Sequence, residues 1–139
     1  MMTTMNESKE IWKTIEEYPM LHLIRNTIKL MFAWAVTDTA LQTRSLALHK
    51  SPLFAHPSGE IMWPMVLSCH GLINGCGVWL VTGSVTFGLI ETVTHCMIDY
   101  MTCIHWINHS VDIPLHFAVK ILIAWLWVNK TKKEAICQR

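Results

Sequence analysis

The feature that most constrains this chain is Glu91-Thr92-Val93-Thr94-His95-Cys96-Met97-Ile98-Asp99, where an imidazole and a carboxylate stand four residues apart inside an otherwise apolar segment. On a helix that spacing puts both groups on one face. Each is costly to bury alone, so something polar has to face them. The same spacing recurs in the other apolar segments as Asp38 with Gln42, His70 with Asn74, and Asp112 with His116. Four hydrophobic segments thus each carry one polar pair. The arrangement that satisfies all four is an all-α, four-helix transmembrane bundle built around a shared polar, metal-binding centre.

Composition agrees with that setting. The 139 residues suffice for one domain, and 52% hydrophobic with 15% charged residues leaves too little polar material to coat a soluble globule. Mean hydropathy is +0.33. A net charge of +1 and the absence of any Lys/Arg-rich tract argue against a nucleic-acid partner. None of the five Cys forms a C-x-x-C, and Cys69/Cys76 and Cys96/Cys103 are each seven apart. Each pair shares a face of its own helix, so the cysteines read as small buried hydrophobes and not as a disulfide framework. The first residues are polar and acidic, unlike a secretory signal.

Residues 1–19 read as an N-terminal interfacial, amphipathic helix: Ile11, Ile15 and Tyr18 share a face, Lys9, Lys13, Glu16 and Glu17 lie outside it, and Pro19 ends it. The membrane domain then covers 20–128. Its first segment, 20–41, carries Arg25 and Lys29 near one end, where they can snorkel, and Asp38 near the other. Thr43 to Glu60, with Pro52, Pro57 and Ser58-Gly59, reads as an excursion or lid whose His49 and His56 are surface histidines. Trp63-Pro64 opens the second segment, which continues to Val81. In it, Gly71 and Gly75 form a G-x-x-x-G that lets another helix come close beside His70 and Asn74. After the turn Thr82-Gly83-Ser84, Ser84 is the expected cap of a third helix reaching Trp106, and Ser110 that of a fourth, Val111 to Val128, with Pro114 in its first turn. A basic tail fills 129–139. His22, His105 and His109 fall near segment ends, where interfacial exposure suffices for them.

Alternating helices run in opposite directions, so Asp38 late in the first segment, His70 early in the second, Asp99 late in the third and Asp112 early in the fourth all fall toward one membrane face. The basic tail places the C-terminus in the cytoplasm, and an even number of spans puts the N-terminus there too. The polar centre then opens to the outer or periplasmic side, where Arg44 and Lys50 also lie.

Over roughly Phe32 to Trp127 the chain resembles the bacterial and phage membrane proteins catalogued as domain of unknown function thirty-three-zero-seven. The carriers are Asp38-Thr39-Ala40-Leu41-Gln42-Thr43, Leu67-Ser68-Cys69-His70, Thr94-His95-Cys96-Met97-Ile98-Asp99-Tyr100 and Asp112-Ile113-Pro114-Leu115-His116. Three positions depart from the pattern: Trp34 and Asn74 stand where the family commonly carries His, and Ile113 where it carries Gln. The resemblance implies an integral membrane protein of the bacterial inner membrane, or of the host inner membrane if phage-encoded. It brings no established activity with it.

Three carboxylates (Asp38, Asp99, Asp112) and three imidazoles (His70, His95, His116) in an apolar bundle call for a divalent cation, and this donor set suits Zn, Mn or Fe. Gln42, Asn74 and Glu91 lie beside these ligands as supporting groups. Arg44, one turn beyond Gln42, is placed to hold an anionic substrate. The first functional class is therefore a metal-dependent membrane hydrolase of a phosphoester, anhydride or amide, with His95 and Asp99 as ligands or general base. The second is a non-enzymatic membrane protein, such as a host-modifying or exclusion factor, whose polar centre only sets helix packing. Taken singly, His95 with Asp99 is explained as a buried hydrogen bond, Asp112 as a first-turn acid and His116 as a satisfied core histidine. The third class is a b-type haem protein using two of His70, His95 and His116. The partners are the lipid bilayer and either a membrane protein or a second copy of the chain.

Overall fold

In a computed structural model the described residues, 18–54 and 62–137, are helices and the turns between them. The amphipathic helix expected at 1–19 falls outside them apart from its last two residues, as do His56, Pro57, Ser58-Gly59 and Arg139. Helix α1 is Pro19–Trp34 and runs on into a π-helical stretch, Ala35–Ala40; α2 is Arg44–His49, α3 Trp63–Thr82, α4 Val85–Cys103 and α5 His109–Cys137. Prolines sit in the first turns of α1 and α3, where the missing N–H costs nothing. Gly83 ends α3 with φ 68°, its N–H donating to Trp79 O at 2.7 Å. That left-handed position is open to Gly at no steric cost.

The four long helices form an up-and-down bundle in which α1 packs on α3 and α5, and α4 packs on the same two. The tightest crossing is α3 on α4. A Cβ on Gly75 would lie 2.0 Å from Thr92 Oγ1 and 2.5 Å from Gly88 O, and one on Gly71 would lie 2.2 Å from Cys96 Sγ. The G-x-x-x-G spacing thus brings two backbones together beside His70, as expected. At one end Leu30, Val78, Phe87, Ile123 and Ala124 form an apolar cluster, with His22 and Asn26 buried earlier on the same face of α1. Toward the other end the interior is polar: Thr37, His70, Asn74, Glu91, His95, Asp99, Asp112, His116 and Lys120 are all buried. Large apolar side chains such as Leu72, Leu80, Val93, Ile121 and Trp125 point outward instead. Polar inside and apolar outside is the reverse of a water-soluble domain.

Two of these helices, Trp63–Thr82 with mean hydropathy 1.4 and His109–Glu134 with 1.7, are long and apolar enough to cross a membrane. Of the other two long helices, α1 has only 16 α-helical residues, and α4 is diluted by Glu91, His95 and Asp99.

Several local expectations change. The start of α5 is capped by Asn108, whose Oδ1 accepts from Val111 N at 3.1 Å, and not by Ser110, which already lies inside the helix. Ser84 stands at the N-cap of α4, but its hydroxyl makes no capping bond. Residues 129–137 continue α5 instead of forming a tail, since nothing in Asn129 to Cys137 breaks a helix. No cysteine is buried: Cys69, Cys76 and Cys137 are exposed and Cys96 and Cys103 partly so, all with free thiols. On an apolar exterior a thiol is an ordinary surface group. His22 is buried, with Nδ1 3.1 Å from Arg25 Nη2, whereas His105 and His109 are exposed.

Candidate metal centre

Two polar ladders build the centre. On α4, Glu91, His95 and Asp99 follow each other at four-residue steps; on α5, Asp112, His116 and Lys120 do the same. The helices are antiparallel, so the ladders meet in reverse order. Lys120 Nζ donates to Glu91 Oε1 at 2.5 Å, the His95 and His116 rings lie 4.4 Å apart, and His116 Nε2 is 3.6 Å from both Asp99 Oδ1 and Asp112 Oδ1. Thr102 donates to Asp112 Oδ1 at 2.7 Å and holds that carboxylate in place.

His70 enters from α3 and Asp38 from the π-helical stretch. His70 Nε2 lies 2.9 Å from Asp38 Oδ1, 3.1 Å from His95 Nε2 and 3.3 Å from Asp99 Oδ2. His95 Nε2 lies 3.4 Å from Asp38 Oδ1 and 3.7 Å from Asp99 Oδ2. Donor atoms about 2.0–2.1 Å from one tetrahedral ion stand about 3.3 Å from each other, so these spacings fit the edges of a coordination shell. Asp38 Oδ1 is buried and has no hydrogen-bond partner despite the two close ring nitrogens. The groups Asp38–His70–His95 and His95–Asp99–His116 are each close enough to hold a metal ion.

The orientation of His95 has a clear cause. Its Nδ1 donates to Glu91 Oε1 at 3.2 Å, which leaves the Nε2 lone pair facing the centre. Glu91 and His95 are completely buried, and Lys120 neutralises the Glu91 charge in turn. Glu91 Oε2 and Trp34 Nε1 remain buried without partners.

The remaining expected residues fall into two groups. Asn74 turns away from the donors, accepting from Thr37 Oγ1 at 2.6 Å and donating to His70 O at 3.2 Å, so it ties α3 to the π stretch. Trp34 stacks on His116 with centroids 5.8 Å apart and on Phe117 edge-to-face. Gln42, with its amide turned to satisfy both ends, donates to Asp38 O at 2.8 Å and accepts from Lys50 Nζ at 3.0 Å. Arg44 is exposed at the start of α2.

Two cations at the centre are not expected there from the sequence, although Lys50 falls on the side to which the centre opens. Lys50, just past α2, puts its ammonium 2.7 Å from Asp99 Oδ2, so the stretch after Leu41 delivers a charge to the centre. Thr43 caps α2 by accepting from Leu46 N at 3.2 Å, which orders this delivery. Lys120 was visible as the residue four past His116, had the spacing been carried one step further. Nothing in the sequence around Lys50 sets it apart.

With Glu91 and Lys120 paired off, Asp38, Asp99 and Asp112 face Lys50 alone among the lysines and arginines described at the centre. Two negative charges are left, the charge of one divalent ion, and an uncompensated buried carboxylate costs several kcal/mol. The donors therefore fit a divalent metal in number, spacing and charge. Compared with protein-family models, curated proteins and solved structures, the chain matches none of them.

Proposed function

We propose that this chain is an integral membrane, metal-dependent hydrolase acting on a phosphoester, and that all four long helices cross the bilayer. The observation that carries the reading is the convergence of His70 Nε2 and His95 Nε2 on the carboxylates of Asp38 and Asp99, from three elements, each ring nitrogen 2.9–3.7 Å from both in a buried bundle interior. Zn, Mn or Fe held there would lower the pKa of a bound water and polarise a phosphoryl oxygen. The chain's own groups do the rest: Glu91 fixes the His95 ring, Gln42 steers Lys50, and Lys50 supplies a mobile cation for the anionic substrate. Asp38 and Asp99 point inward; Arg25, six residues into α1, is within snorkelling reach of the headgroups, and Lys29 lies exposed midway along Pro19–Ala40. His70 is seven residues into α3, about 10 Å below its start, a depth that a lipid headgroup phosphate reaches.

The resemblance to the bacterial and phage family, the inner-membrane location and the cytoplasmic termini belong to this same proposal. Lys130, Lys132 and Lys133 at the far end of α5 favour that orientation. A C-terminal reporter active only in the periplasm would reverse it.

The deciding experiment is elemental mass spectrometry on detergent-purified protein, wild type against His95→Ala/Asp99→Ala, followed by a phosphoesterase screen. Near-stoichiometric Zn, Mn or Fe that is lost in the double variant is the expected result. Metal-free wild type, folded and purified without chelators, ends the proposal. One observation favours a second reading, a packing device in a non-enzymatic protein: Lys50–Asp99 and Lys120–Glu91 already pair internally. That reading expects biological activity to survive replacement of His95 and Asp99 by residues of similar volume. As for haem, the Nε2 atoms of His70 and His95 are 3.1 Å apart, too close for a macrocycle to pass between them. A Soret band would bring that class back.

A further inference from the structure

We infer that the centre takes two divalent ions, bridged by the carboxylate of Asp99, and that the pair is built for a phosphate monoester dianion. This rests on the metal-centre reading above and extends it. Asp99 turns its two oxygens to different donor sets. Its Oδ2 accepts from Lys50 Nζ at 2.7 Å and faces His70 Nε2 at 3.3 Å and His95 Nε2 at 3.7 Å, both of which also stand close to Asp38 Oδ1. Its Oδ1 faces the other way, 3.6 Å from His116 Nε2, which is itself 3.6 Å from Asp112 Oδ1. Both of the latter distances are long for a direct hydrogen bond and close to the spacing of two ligands on one ion.

The second set is as protected as the first. His116 is 2% and Asp112 9% exposed. Each is held from outside the set: Thr102 fixes the Asp112 carboxylate and Trp34 lies against the His116 ring. Three donors from one protein face leave open positions, as a reacting centre requires and a purely structural one does not. Ions sharing a carboxylate stand about 3.5–4 Å apart, the separation that clamps both sides of a phosphoryl transfer.

Charge then selects the substrate class. Two divalent ions and Lys50 carry five positive charges against three from Asp38, Asp99 and Asp112. The surplus of two matches a monoester dianion, whereas a neutral ester or amide would leave it unmet.

The test is metal stoichiometry on the full chain in detergent after loading with Mn²⁺ alone, read by elemental analysis and by electron paramagnetic resonance. Wild type is expected to hold about two ions with an exchange-coupled signal, and His116→Gln or Asp112→Asn about one, uncoupled. Circular dichroism and gel filtration select the folded variant of the two. One ion in wild type, retained in His116→Gln, overturns the second site and leaves the first standing. No ion in wild type overturns both readings together. Two ions with uncoupled spectra overturn the Asp99 bridge. Para-nitrophenyl phosphate hydrolysed no faster than the corresponding phosphodiester by the loaded protein overturns the substrate class.

Discussion

The two ends of this bundle are held together by different forces. Around Leu30, Val78, Phe87, Ile123 and Ala124 the helices meet through apolar side chains, and the contact is tolerant because lipid tails and side chains are chemically alike. Around His95 and Asp99 they meet through charges and hydrogen bonds, each of which demands its partner. On the proposed membrane reading, apolar contacts gain little from the hydrophobic effect, since no water is released. The polar end therefore supplies specificity: it determines which helix face meets which, and in what register.

The strongest way to break that contrast is Lys120→Met. It strands Glu91, completely buried, without its cation, and is expected to cost about 3–5 kcal/mol in detergent unfolding. The double variant Glu91→Leu/Lys120→Met should recover most of that loss while weakening metal retention, because the His95 ring loses its anchor. Equal destabilisation in the single and double variants would show that the pair itself, and not the stranded charge, carries the effect. At the apolar end Ile123→Ala removes a fully buried side chain and is expected to cost about 2–4 kcal/mol, leaving metal content unchanged. Loss of metal there would mean that the ends are mechanically coupled.

Gly75→Ala probes the junction between the two regimes. Its new Cβ would meet Thr92 Oγ1 and the Gly88 carbonyl, forcing α3 and α4 apart at an expected cost of about 1–3 kcal/mol. The metal affinity should fall with it, since His70 moves with α3. The smallest effect is expected from Thr37→Val, which removes the 2.6 Å bond to Asn74 and should cost about 0.6 kcal/mol, the average for a hydrogen bond between membrane helices.

Much of this architecture could be read from spacing. The four i, i+4 pairs gave the all-helical bundle, and the alternation of helix direction gave the common level at which Asp38, His70, His95, Asp99, Asp112 and His116 meet. Gly71 and Gly75 announced the close crossing. What spacing could not show was which neighbours cancel charge. Lys50 reaches Asp99 across an excursion whose path depends on a six-residue helix, and six-residue helices have little periodicity to read. Asn74 reads from the sequence as a supporting group beside the ligands, but spacing could not show that its partner is Thr37, on the widened turn at Ala35–Ala40. Asn108 was overlooked as a cap because Ser110 offered the same chemistry two residues later, and the helix starts at the earlier of the two.

The paired ladders on α4 and α5 also bear on how the protein is made. A glutamate or a lysine entering hydrocarbon alone raises the cost of membrane insertion by about 2.5–3.5 kcal/mol. Glu91 and Lys120 lie on neighbouring helices joined by the short turn after Cys103, so the two charges can find each other before either enters lipid. On the proposed reading in which all four long helices cross the bilayer, the α4–α5 hairpin would be a unit of biogenesis, handed to the bilayer as a pair, with α4 held back until the second half of α5 emerges.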